Sequence, residues 1–229
     1  MEKQNIEINY LYHSGFSVET KKWFFVFDYY KGPIQLSNKK TIIFSSHGHP
    51  DHLNPVIFEW QQKRPDIQYI LSSDIAVPEK TNNFRSLSPG DIIENRDLLI
   101  KAYNSTDLGV SFLVQCEGIR IFHSGDFNWW KWINTPEEMA KAEKDFKDEI
   151  EKLKNERIDI AFFPVDPRLE KNYSAGAEYF IDKIKPQYLI PMHFSTHPPA
   201  VKTFAEKMKN SPTQIIALTG RGEKISLTL

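Results

Sequence analysis

The chain has 229 residues, 40% hydrophobic and 26% charged, which suits a water-exposed globular protein that buries a core without covalent staples. Its net charge of −1 supplies no global field toward nucleic acid or an anionic membrane, and no apolar run is long enough to cross a bilayer. The single cysteine, Cys116, excludes an internal disulfide, and residues 1–5 lack the apolar segment of a signal peptide, so a reducing cytoplasmic setting is expected.

The first third reads as strands. Ile6, Ile8, Tyr10 and Tyr12 alternate with other residues, the period of a strand with one buried face. His13-Ser14-Gly15 breaks the run, and Phe16 and Val18 resume it. Trp23 to Phe27 is continuously apolar, as in a strand covered on both faces, and Asp28 ends it. Thr41-Ile42-Ile43-Phe44 is a further buried strand. Asn54-Pro55 then starts a short helix over 55–63, and Gln68 to Leu71 returns to strand. Strands follow at Ile92-Ile93, Leu98 to Tyr103, Val110 to Cys116 and Ile119 to Phe122. Glu117-Gly118 makes a tight hairpin between the last two.

Helices concentrate late. Thr135-Pro136-Glu137-Glu138 combines a capping hydroxyl, a first-turn proline and a glutamate in capping-box register. Met139, Ala142, Phe146, Ile150 and Leu153 continue it as one apolar stripe. Strands are expected at 158–165, 187–192 and 214–218, helices at 175–184 and 199–208, and Ile225 to Leu229 closes a sheet edge. With no linker, repeat or low-complexity segment, residues 1–229 read as one domain of two sheets with helices outside.

The chemistry concentrates in Ser46-His47-Gly48-His49-Pro50-Asp51-His52, where a buried strand ends and a helix begins. It places three of seven histidines and a carboxylate within six positions. Imidazole and carboxylate are good ligands for borderline divalent metals. On extended backbone, His47 and His49 share a face and can reach one ion. Asp51 and His52 lie beyond Pro50 and serve either a second ion or the shell of the first. Asp126, in His123-Ser124-Gly125-Asp126, and His193, after Gln187 to Met192, both emerge at strand ends and are the candidates to complete the set. Gly125 permits backbone that other residues avoid.

The set His47-Xaa-His49-Xaa-Asp51-His52, Ser124-Gly125-Asp126 and Pro191-Met192-His193-Phe194 resembles the metallo-β-lactamase-fold hydrolase superfamily. It is most similar to the lactonase-like and uncharacterised cytoplasmic branch, in which runs like His13-Ser14-Gly15-Phe16 and Phe122-His123-Ser124-Gly125-Asp126 are usual. The resemblance implies an α+β fold, a four-layer αββα sandwich, with a dinuclear site at one edge. It implies that His47 and His49 hold one metal, that Asp51, His52 and His193 hold the other, and that Asp126 bridges both. The family pattern also has a third histidine on the first metal, yet none lies between His52 and His123. In Asn104 to Val110, Asp107 is the best substitute ligand, with Ser105 and Thr106 as weaker choices. A carboxylate there shifts preference from zinc toward manganese, iron or magnesium.

The expected cofactors are therefore two divalent ions, zinc or manganese, with iron or magnesium as further options. Such an ion lowers the pKa of bound water from 15.7 to as little as about 7 and supplies hydroxide at neutral pH. The leading expectation is a metallo-hydrolase that uses this hydroxide on an ester, lactone or related bond of a small molecule, with Asp51 orienting it or shuttling a proton. The alternatives are a phosphodiesterase acting on RNA, a nucleotide or a phospholipid, and a non-hydrolytic metal-binding protein with a degenerate first site. Trp129 and Trp130 are candidates to line the mouth, and Arg168 and Tyr173 to bind an anionic substrate group. Asp166, at the end of Ile160 to Val165, is a candidate hydrogen-bond partner behind a metal-bound histidine, and His13 a candidate neighbour of the site.

Overall fold

The computed structural model describes residues 3–195 and 197–229. In chain order the strands are β1 (Asn5–Tyr12), β2 (Gly15–Glu19), β3 (Trp23–Phe27), β4 (Lys40–Ser45), β5 (Gln68–Ser72), β6 (Phe84–Leu87), β7 (Ile92–Glu94), β8 (Leu98–Asn104), β9 (Val110–Cys116) and β10 (Ile119–His123). The helix α1 (Pro136–Leu153) follows, then β11 (Ile160–Pro164), α2 (Ala175–Ile184), β12 (Tyr188–Met192), α3 (Pro198–Lys207), β13 (Gln214–Ile215) and β14 (Lys224–Thr228). Among the described residues no helix is long and apolar enough to cross a membrane.

The chain divides into two compact units, Met1–Leu87 with Leu218–Leu229, and Ser88–Ala217. In the first, seven strands run in the order β14-β1-β2-β3-β4-β5-β6. The β14/β1, β1/β2 and β2/β3 pairs are antiparallel, and β3/β4, β4/β5 and β5/β6 are parallel. β1, β3, β4 and β5 therefore all end at one edge of this sheet, where β14 begins. Leu11, Phe24, Val26, Ile43, Tyr69 and Leu71 form a core with Ile57 and Phe58. The last two come from residues 55–62, which form a 3-10 helix: Asn54 Oδ1 accepts from the Val56 N–H at 3.0 Å, and the Ile57 N–H bonds the Asn54 carbonyl three residues back.

The second unit repeats the pattern in the order β13-β12-β11-β10-β9-β8-β7. The β7/β8, β8/β9 and β9/β10 pairs are antiparallel, and β10/β11, β11/β12 and β12/β13 are parallel. β10, β11 and β12 share one C-terminal edge. The Thr135 capping box forms with both of its hydrogen bonds, and Phe146, Ile150 and Leu153 of α1 enter a core with Phe122, Phe163 and Phe180. Glu117 and Gly118 both have positive φ, as a two-residue hairpin requires. Buried Cys116 has its thiol pushed up to about 12 by desolvation, which leaves it no role as a nucleophile at neutral pH.

One strand is shorter than expected, and another was not expected. β13 covers only Gln214–Ile215 rather than 214–218, because Gln187 and Leu189 bond toward it and the next residue on that side, Pro191, has no N–H to extend the ladder. β6, with three of its four residues exposed, carries no apolar alternation to betray it.

Candidate functional site

In the first unit the parallel strands deliver their chemistry at one edge. Asp28 directly follows β3, and Ser46 and His47 directly follow β4. Asp28 is fully buried and adopts φ 44°, a left-handed conformation that Asp tolerates better than most residues. Its Oδ1 accepts from the Ser46 N–H at 2.7 Å, and its Oδ2 from the Ser46 hydroxyl at 2.7 Å and from His52 Nδ1 at 2.7 Å. Since Ser46 Oγ–H donates to Asp28, the oxygen accepts from His47 Nδ1, 3.0 Å away. One carboxylate thus fixes the tautomer of two buried imidazoles, directly and through a hydroxyl, and turns the Nε2 side of each ring outward from it.

His47 Nε2 lies 3.0 Å from His49 Nδ1, and the His47 and His52 ring centroids are 4.1 Å apart. His13, at the end of β1, lies edge-on to His52, and its Nε2 is 3.4 Å from Asp51 Oδ2. His13, His47 and His52 are buried, while the Asp51 side chain is 48% exposed. Gly48 N–H donates to Asp74 Oδ2 at 2.8 Å, which ties the histidine loop to the residues after β5.

In the second unit, β10, β11 and β12 place Asp126, Asp166 and His193 beyond their C-terminal ends. His193 Nδ1 is 2.8 Å from Asp166 Oδ2, and His193 Nε2 is 3.2 Å from Asp126 Oδ1. Arg168 grips the same Asp166 carboxylate through Nε and Nη2 and donates its own N–H to Oδ1 at 2.9 Å. Burial opposes ionisation of Asp166, but the hydrogen bonds from His193 and Arg168 prevail and hold its pKa at about 2. Trp130 stands edge-on to His193 at 5.4 Å and donates its indole N–H to the Asp126 carbonyl at 2.9 Å. Gly125 takes φ 53° in the turn that carries Asp126.

Three further candidates make contacts of their own. Trp129 stacks on Phe146 of α1 and meets Tyr179 of α2. Tyr173 packs against the same core, and its carbonyl accepts from the Asp166 N–H at 3.0 Å. Asp107 is exposed, with its N–H on Ser105 Oγ at 3.2 Å. Its neighbour Thr106 is tied in, donating to the Asn128 carbonyl at 2.6 Å and accepting from the Asn128 N–H at 3.0 Å.

Asp28 and Ser46 escape a reading of the sequence that looks only for ligands. A signal for Asp28 existed: it follows an apolar strand just as Asp166 does, and both carboxylates take the Nδ1 of a histidine.

The donor chemistry fits a divalent cation. Imidazole nitrogens about 2.1 Å from one ion can stand 3.0 Å apart, the separation of His47 Nε2 and His49 Nδ1. His47, His52 and His193 each have Nδ1 engaged by a carboxylate or by a hydroxyl bound to one, the arrangement that presents Nε2 to a metal.

Residues 7–193 match the model of the β-lactamase superfamily domain. The chain belongs to this family. A metal-dependent hydrolase of Pyrococcus furiosus is 22% identical over 85% of this chain and 87% of its own. A metallo hydrolase of Ignicoccus hospitalis, 17% identical, superposes with a TM-score of 0.73 over 97% of this chain and 98% of its own. A metal-dependent hydrolase of Parabacteroides distasonis, 18% identical, does so with a TM-score of 0.64 over 93% and 92%. The fold of this superfamily member is accordingly the α+β metallo-β-lactamase fold.

Proposed function

We propose that this protein is a metal-dependent hydrolase that cleaves an ester, lactone or related bond of a small molecule. The proposed ligands are His47, His49, Asp51 and His52 from the first unit and Asp126 and His193 from the second, holding two ions of zinc or manganese, with Asp107 as the substitute for the missing third histidine. The observation that carries the reading is the shared support of three imidazoles: Asp28 behind His52 and, through Ser46, behind His47, and Asp166 behind His193. Such outer partners fix ring orientation and raise ligand basicity. Elsewhere in a protein, burying this many imidazoles side by side gains nothing for the core.

When bound, a divalent ion lowers the pKa of coordinated water toward about 7 and polarises the substrate oxygen. The chain's own residues do the rest. Asp51 is half-exposed beside His13 Nε2, a placement suited to taking the proton of the attacking water and returning it to the departing alkoxide. Trp130 shields one face of His193 from solvent, and the exposed Arg168 side chain lies 5.8 Å from the Trp132 ring, offering substrate a flat apolar surface beside a charge.

The test is elemental analysis of protein purified without chelator, paired with a metal-defined panel of esters and lactones. Two ions per chain and turnover that disappears with chelator and returns with zinc or manganese are expected. Metal-free protein, or turnover indifferent to chelator, would sink the reading.

A further inference from the structure

We propose that Lys31 and Arg221 form an anion-binding subsite beside His13, which takes a carboxylate or phosphate group of the substrate. The inference deepens the hydrolase reading and rests on it for the reacting end of that molecule. The subsite itself stands on three chain segments of the first unit.

These segments converge where β1 ends. Gly32, at φ 122°, brings the 29–33 loop against β1: a Cβ there would sit 2.5 Å from the Leu11 carbonyl oxygen, so only glycine permits the approach. Tyr29 Oη donates to the Gly32 carbonyl at 3.0 Å, and Asn54 Nδ2 donates to the Tyr30 carbonyl at 2.8 Å, which steadies the loop. From the C-terminal side, the Gly222 N–H donates to the Tyr10 carbonyl at 2.7 Å and fixes the turn that carries Arg221.

Two cations then meet on one ring. Lys31 Nζ lies 4.3 Å from the Tyr12 centroid and 4.5 Å from that of Tyr30. Arg221 Cζ lies 4.3 Å from the same Tyr12 centroid. The charges are therefore at most twice that distance apart. Among the described residues no carboxylate pairs with either cation. The acid nearest Arg221 in sequence, Glu223, spends its carboxylate on the N–H groups of Thr219 and Gly220, and the acid nearest Lys31, Asp28, is bonded to Ser46 and His52. Asp51 is engaged by His13.

Aromatic faces hold cations in place without neutralising them. Two like charges so held repel each other, and an anion that reaches both beside the ring offsets that cost and gains charge-assisted hydrogen bonds, bidentate in the case of Arg221. Tyr12 directly precedes His13, their rings 6.4 Å apart, so an anion bound here lies alongside the histidine cluster. A neutral substrate would gain nothing from this arrangement.

The experiment titrates the metal-loaded protein with inorganic phosphate and with succinate, read by NMR at the Tyr12 ring, Lys31 Nζ and Arg221 Nε. Saturable shifts at all three groups are expected. In the Lys31→Ala/Arg221→Ala variant the affinity falls about tenfold or more, the scale of hydrogen bonds to a charged partner. Response to phosphate alone assigns a phosphoryl group, and response to succinate a carboxylate; either supports the subsite. Absent shifts at these groups, or equal affinity in the variant, overturn it. Because the readout is binding, anion affinity without hydrolysis of any ester would remove the hydrolase reading and leave the subsite standing. Hydrolysis without anion binding would do the reverse.

Discussion

Asp28 Oδ2 receives the Nδ1 of His52 at 2.7 Å, with both side chains fully buried. The same carboxylate accepts from both donors of Ser46, its N–H and its hydroxyl, and through that hydroxyl supports His47. Asp28→Asn keeps the shape but replaces one accepting oxygen with a donor. Metal affinity is expected to fall about 10–100-fold while the fold persists. Isothermal titration with zinc or manganese beside far-ultraviolet circular dichroism checks this, and unaltered affinity would show that Asp28 serves stability alone. Asp28→Ala is expected to destabilise the chain as well, by about 1–3 kcal/mol for each buried donor left unsatisfied.

The histidines and Asp126 should separate from their supports in a metal titration. His52→Ala and Asp126→Ala each remove a proposed ligand, and each is expected to abolish turnover of a generic ester and to lower the metal content per chain. Full turnover in either variant would take that residue out of the mechanism.

Asp107 offers a sharper question. It is exposed and follows β8 at the edge where β9 begins. Asp107→His restores the imidazole that the family pattern has in this region and is expected to raise zinc affinity relative to manganese. Competition between the two metals measures this. An unchanged ratio would mean that position 107 does not face an ion.

Acid should loosen the Asp166–His193–Arg168 cluster of the second unit. The pKa of Asp166 drops from 3.8 unfolded to about 2 folded, because hydrogen bonds from His193 and Arg168 outweigh its burial. A depressed carboxylate contributes stability that is fully present above its unfolded value and is lost as pH falls through its folded value. The contribution, about 2 kcal/mol, should be complete above pH 4 and vanish toward pH 2. Denaturant midpoints across that range test it. In Asp166→Asn the acid-dependent component should be smaller, and an identical pH slope would refute the assignment.

Helix α1 gives a stability prediction remote from the chemistry. Thr135 and Glu138 cap each other reciprocally. Thr135→Ala should cost about 1 kcal/mol, or about 2–4 °C in melting temperature for a chain of this length, with metal content unchanged. A melting temperature equal to that of the unsubstituted chain would show that the box contributes nothing.

The features legible in the sequence are those whose physics is local. The histidine run, the Thr135 box and the Glu117-Gly118 turn each express their chemistry within a few residues, and the structure forms the box and the turn where they were expected. Asp28 was legible only as the end of an apolar strand. Its task depends on parallel pairing of β3 with β4, which brings Ser46 to it across 18 residues and His52 across 24. Lys31 and Arg221 lie still farther apart in the chain, and nothing near either residue hints that they share Tyr12. The exposed strand β6 takes its conformation from β5 rather than from its own side chains.

The pairing of β14 with β1 governs how the chain must be made. β2 follows β1 closely in the chain and pairs with one of its flanks, but the other flank waits for residues 224–228. The whole of 88–217 is synthesised in the interval. Throughout that time the nascent first unit carries an open strand edge, a template for wrong pairing with other chains. Residues 224–228 therefore act as a latch, and only their arrival seals that flank and seats the turn that holds Arg221.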